Sequence, residues 1–88
     1  MANPSLSSSF GAVIRARRIE LGLTQEQVAE FAGIHPTYVG MVERAERNCS
    51  VDIAQAISAA LELPLSKLIA LAEVALKAKA TARKAKRA

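Results

Sequence analysis

The stretch QEQVAEFAGIHPTYVGMVER, residues 25–44, constrains this chain more than any other, because it admits two short helices and a tight turn between them. Thr24 precedes it with a side-chain oxygen, and Gln27 follows three residues later. At that spacing two residues cap a helix start reciprocally. Val28, Ala29, Phe31 and Ala32 then recur at helical spacing and mark an apolar stripe. Gly33 stops the helix, since a sharp exit needs a left-handed residue and glycine has no Cβ to oppose it. His35-Pro36 opens the next helix, with proline in a first turn, where its missing N–H has no intrahelical partner to lose. Val39 and Val42 point one side of this second helix inward, and the small Ala29 lets the two helices cross closely.

About half of the 88 residues are hydrophobic, enough for one small domain without disulfides or metal. Aromatic residues are limited to Phe10, Phe31 and Tyr38, so the core must be aliphatic. Abundant alanine and the lack of period-two alternation predict an all-α fold. A first helix is expected over residues 8–21, capped by Ser7 or Ser8 and ended by Gly22, with Phe10, Ile14 and Leu21 on one face and Val13 at its margin. Residues 1–7 are expected to be flexible. Beyond a loop at residues 45–49, Ser50 caps a fourth helix, with Asp52 in its first turn and Ala54, Ile57 and Leu61 buried. Leu63-Pro64 breaks it, and Pro64 opens a fifth helix. There Leu65, Leu68, Ile69, Ala72 and Leu76 recur at intervals of three and four. Leu65, Ile69, Ala72 and Leu76 exceed what one monomer can cover, which predicts a two-fold interface on this helix and a homodimer. The domain thus spans residues 8–76, and residues 77–88 form an Ala/Lys/Arg tail, expected to fray and to be mobile without a partner.

Charge is divided unevenly. Residues 77–88 hold six of the twelve basic residues and no acid, leaving six basic groups against all eight acids before them, a net of −2. A mildly acidic domain with a strongly basic tail favours nucleic acid as a partner. The single Cys49 allows no internal disulfide, and no apolar run reaches the length of a membrane span. The N-terminus lacks a basic region followed by an apolar block, so no signal peptide is expected and the expected location is cytoplasmic. One His, one Cys and no clustered acids support neither catalysis nor a metal, and there is no glycine-rich phosphate loop. Neither a cofactor nor a small-molecule ligand is expected, and Cys49 has only Arg47 nearby to activate it.

Helix, glycine turn, and a second helix with a polar outer face make a helix-turn-helix, whose second helix can enter the major groove of double-stranded DNA. His35 stands at the entry to that helix and either caps it or donates to DNA. Thr37 and Tyr38 lie in the first turn, where side chains reach base edges. Thr37 offers a hydroxyl and a methyl, and Tyr38 suits a phosphate. Met41 can pack on a thymine methyl. Arg44 can grip guanine or phosphate and Arg47 phosphate, unless they pair with Glu43 or Glu46. Gln25 can clamp a phosphate together with the N-terminus of its helix.

The segments FGAVIRARRIELGLTQEQVAEFAGI, TYVGMVERAERNCS and IAQAISAALEL resemble the phage-repressor/Cro-like (XRE-type) helix-turn-helix family. The wording TY, ER and RN is similar to that of controller proteins of restriction–modification systems. The resemblance implies a compact five-helix, lambda-repressor-like domain that binds palindromic operators as a dimer. It also implies that Gln25, Thr37, Tyr38, Arg44, Arg47 and Asn48 face DNA, and that Arg18 and Glu43 form an interhelical ion pair. Ala45 stands where many relatives have glycine, so the third helix is expected to run further. Cys49 stands where they have proline. Pro36 replaces a base-reading Gln or Arg, which shifts direct readout to Thr37, Met41 and Arg44 and gives DNA shape more weight. The expected function is sequence-specific regulation of transcription. Its rivals are an antitoxin-like or adaptor protein that binds another protein, and a nucleoid-type protein that binds DNA without preference.

Overall fold

The computed structural model describes the backbone of residues 5–87 and the side chains of residues 5–79. Five helices follow one another: α1 (Leu6–Glu20), α2 (Gln25–Ala32), α3 (Pro36–Glu43), α4 (Val51–Ala60) and α5 (Leu65–Arg87). Residues 1–4 of the N-terminus expected to be flexible, and the side chains of residues 80–88 of the basic tail, lie outside the described residues.

Local capping explains the helix starts. The Thr24 hydroxyl accepts from the Gln27 N–H at 3.0 Å, and the Gln27 side chain accepts from the Thr24 N–H at 2.9 Å. Ser50 accepts from the Ile53 N–H at 3.1 Å, and the Pro64 carbonyl takes the Lys67 and Leu68 N–H groups at 3.0 and 3.2 Å. The first helix departs from expectation. Its cap is Ser5, which accepts from the Ser8 N–H at 3.2 Å, so Leu6 and Ser7 are already helical. Ser5, Ser7 and Ser8 offer competing caps, and the first one that reaches an N–H three residues on sets the boundary.

The first four helices share one closure, a hydrogen bond spanning six residues around a left-handed residue. The Leu23, Ile34, Glu46 and Leu63 N–H groups donate to the carbonyls of Arg18, Ala29, Met41 and Ser58 at 3.0, 3.0, 2.8 and 3.1 Å. The left-handed positions are Gly22 and Gly33, with φ of 72°, and two residues that are not glycine, Ala45 at 59° and Glu62 at 58°. Contrary to expectation, α3 does not run on through Ala45. It ends at Glu43, because the paired closing bonds and the tether to α4 outweigh the roughly 1–2 kcal/mol that a Cβ adds in this conformation. Ala45→Gly is therefore expected to stabilise the fold by about 1 kcal/mol, after allowing for the greater chain entropy of glycine. Urea unfolding checks this, with a raised midpoint at unchanged slope as the expected result; an unchanged midpoint would mean that the left-handed turn carries no strain.

The core is aliphatic. Ile14, Val28, Val39, Ile57, Leu61 and Leu68 are fully buried, and Phe10 is its one fully enclosed aromatic among the described residues. α1 lies on α5 and α3, α2 on α3 and α4, and α4 on α5. Two expected core and surface assignments are reversed. Phe31 is 71% exposed, because Val28, Ala29 and Ala32 point inward and Phe31 lies about 100° round the helix from Ala32. Ala72, expected at an interface between subunits, is 0% exposed and packs inside its own domain one turn beyond Leu68. Ala29 is buried as its small size suggested, but a closer approach occurs at Gly11. A Cβ there would lie 2.3 Å from the Val42 carbonyl oxygen and 2.8 Å from that of Glu43. The backbone of α1 thus rests directly on the end of α3.

Candidate nucleic-acid interface

α3 divides sharply. Val39, Gly40, Val42 and Glu43 are buried, while Thr37 and Arg44 are exposed and Met41 is half-buried. Thr37, Met41 and Arg44 are spaced by four and three residues and form one stripe along the outer face. His35 is the N-cap, its Nδ1 accepting from the Thr37 N–H at 3.1 Å. The capping role therefore belongs to Nδ1, and Nε2 is the ring nitrogen left to face outward.

The segment after α3 is pinned to this stripe by Tyr38. The Tyr38 hydroxyl donates to the Asn48 carbonyl at 3.2 Å, and the Arg47 guanidinium sits over the ring, 5.5 Å from its centroid. The tyrosine expected at a phosphate thus holds Arg47 and Asn48 beside the helix, each with an exposed side chain. Arg44 is paired with Glu46, its Nε and Nη2 donating to the two carboxylate oxygens at 2.9 and 3.2 Å. That bond holds the Glu46 carboxyl below its usual range and the Arg44 guanidinium above its own. Of the two acids open to Arg44 in the sequence, Glu46 takes it, because Glu43 is engaged elsewhere.

Beneath the stripe, Glu43 is the hub. Arg18 Nε donates to Glu43 Oε2 at 2.6 Å and Arg18 Nη2 to Oε1 at 3.0 Å, a two-bond fork across α1 and α3. The Glu43 side chain is 1% exposed. Arg18 Nη1 also donates to the Leu23 carbonyl at 3.0 Å, and Gln25 Nε2 donates to Glu43 Oε1 at 3.1 Å. The hydrogen bond with Glu43 raises the Arg18 guanidinium above its ordinary value, against the opposing effect of burial. Gln25, expected to face a phosphate, has its amide nitrogen turned inward instead. The Arg18–Glu43 pair therefore joins α1, the turn after it, the start of α2 and the end of α3. Gly11 and Gly40 both shape this region and were not singled out in the sequence. The signal for both is the same, a glycine in a helix interior.

The remaining chemistry is sparse. Burial pushes the Cys49 thiol up, away from a reactive thiolate. Among the described residues no three His, Cys, Asp or Glu side chains cluster as metal ligands, and no helix is long and apolar enough to cross a membrane.

The family model for helix-turn-helix proteins matches residues 14–68, more than half of the chain. This chain belongs to the helix-turn-helix family. The match takes in α2, α3 and their turn whole, so the stripe lies on the second helix of the motif. Within the helix-turn-helix family, the chain is 41% identical over 56 residues to control protein C.SmaI of Serratia marcescens, covering 64% of this chain and 67% of that one. It is 34% identical over 59 residues to the transcriptional regulator ClgR of Mycobacterium tuberculosis, spanning about half, 53%, of that protein's length. The restriction–modification controller protein C.AhdI of Aeromonas hydrophila superposes with a TM-score of 0.68 at 36% identity, over 69% of this chain and 92% of that one. The clp gene regulator ClgR of Corynebacterium glutamicum superposes with a TM-score of 0.91 over 98% of this chain and 92% of that one; at 23% identity it shows a common fold. These relatives are control proteins and regulators.

Proposed function

We propose that this protein is a sequence-specific DNA-binding regulator of transcription that acts as a homodimer on a palindromic operator. The observation that carries the reading is the outer-face Thr37–Met41–Arg44 stripe on the second helix of the motif, flanked by the exposed Arg47 and Asn48. A hydroxyl, a methyl-bearing chain and a fork of N–H donors, in register along one helix, are what the major groove's edge of a base pair can be read with. In a dimer the two copies of α3 enter successive major grooves, about 34 Å apart. The test is competition between the DNA upstream of this protein's own gene and random duplex. A regulator shows a large ratio of affinities; a ratio near one indicates a nucleoid-type binder, and weak binding to both an adaptor of proteins.

For the dimer, the fifth helix supplies Leu65, Ile69 and Leu76, each half-buried at the surface, with Ala72 removed from the set. Leu65 and Ile69 line a groove of about 210 Å³ together with Leu6 and Val51. Val51 is 74% exposed and takes no part in the core, so it tests the interface without testing the fold. Val51→Asp is expected to give a folded monomer that binds DNA much more weakly. Wild-type protein that sediments as a monomer at high micromolar concentration would show that the interface is misplaced.

The tail adds phosphate contacts in this reading. With two or three of its six cations engaged per subunit, truncation after Leu76 lowers the slope of log affinity against log salt by roughly 4–5 units for the dimer. Affinity falls for operator and random DNA alike, because phosphate contacts carry no sequence information. Salt titration of both proteins on both DNAs measures this, and identical slopes would remove the tail from the interface.

A further inference from the structure

α3 has eight residues and a glycine in its interior, Gly40. Such a glycine weakens a helix relative to alanine, so a reason for it should be found in space. A Cβ at this position would lie 3.0 Å from Arg44 Nη1, 3.4 Å from Gln25 Oε1 and 3.5 Å from Gln25 Nε2. The Arg44 guanidinium therefore lies back along α3 over bare backbone, beside the Gln25 amide. Its opposite edge, Nε and Nη2, is taken by both oxygens of Glu46. That two-bond fork is the geometry with which arginine grips a phosphate or the O6/N7 edge of guanine. The side chains of Arg44 and Glu46 remain 55% and 54% exposed, so the fork is open to exchange. Other charges nearby are committed: Glu43 to Arg18, and Arg47 to the face of Tyr38.

We infer that Glu46 competes with DNA for the Arg44 guanidinium, and that Gly40 sets the direction in which that arginine is presented, so that two residues which need not touch DNA set its affinity. The inference rests on the reading of α3 as the DNA-contacting helix. On binding, two N–H donors of Arg44 leave the carboxylate for acceptors on DNA, and the freed carboxylate takes up a cation from solution. Each subunit then releases one counterion fewer than its phosphate contacts imply.

The experiment is a salt titration of the full chain on the DNA upstream of its gene and on random duplex. Glu46→Gln is expected to tighten binding about tenfold and to steepen the slope by about 0.9 per subunit. Gly40→Ala is expected to weaken binding several-fold without lowering the melting temperature, because a better helix former displaces the tip of a flexible side chain. In an Arg44→Gln background the gain from Glu46→Gln is expected to vanish. The same gain in that background, or an equal gain from Glu20→Gln, an acid that pairs with Arg17 and not with Arg44, would show simple charge repulsion and overturn the inference. Wild-type protein that binds DNA while Glu46→Gln brings no gain overturns the inference alone. Wild-type protein that binds neither DNA overturns the regulator reading beneath it.

Discussion

Glu43→Ala is expected to cost about 3 kcal/mol of stability, because it leaves Arg18 desolvated with its fork of donors unmatched. The carboxylate accepts three hydrogen bonds, two from Arg18 and one from Gln25. Its removal strands donors on α1 and α2 together, and α3 loses its tether to both. The attraction between the charges is not what makes the loss large. Removing both charges shows this: Arg18→Met with Glu43→Met is expected to recover most of the stability, since a well-packed apolar pair can replace a buried ion pair at little cost. Chemical denaturation of the two single variants and the double variant gives the coupling. Strictly additive losses would show that the two groups do not act as a pair. Operator binding by Glu43→Ala is expected to fall even where the domain is still folded, because the end of α3 that carries Arg44 is no longer fixed.

Gly11→Ala is expected to destabilise the fold by about 3 kcal/mol, an overpacking effect near the top of the usual range. The methyl group would meet two backbone carbonyl oxygens, those of Val42 and Glu43, neither of which can rotate away as a side chain can. The better helix propensity of alanine returns about 1 kcal/mol, included in that figure. Relief requires α1 to lift from α3, and that motion also lengthens the Arg18–Glu43 fork two turns further along α1. For a domain of this size the melting temperature should fall by roughly 12–24 °C. A fall of only a few degrees would mean that α1 slides freely over the end of α3. Combining Gly11→Ala with Glu43→Ala should cost less than the sum of the two, because both act on one contact.

The features legible in the sequence are those decided over three to six residues. The Thr24–Gln27 capping box, the Ser50 cap, the proline starts of α3 and α5 and the left-handed exits at Gly22 and Gly33 all rest on neighbours along the chain. Chain-local chemistry also marks Thr37, Met41 and Arg44 as one stripe, since helical spacing alone aligns them. Periodicity locates the apolar side of α2 and α5 but not its width, so it puts Phe31 inside and Ala72 outside. The width of a buried face depends on what packs against it. The Arg18–Glu43 pair joins residues 25 positions apart and follows from family resemblance, not from spacing. Ala45 and Glu62 take left-handed conformations that their residue types disfavour, because the connection to the next helix must turn there. Gly11 and Gly40 carry no local signal of what they approach. Their meaning, a carbonyl in one case and a guanidinium in the other, exists only once α1, α2 and α3 have been brought together.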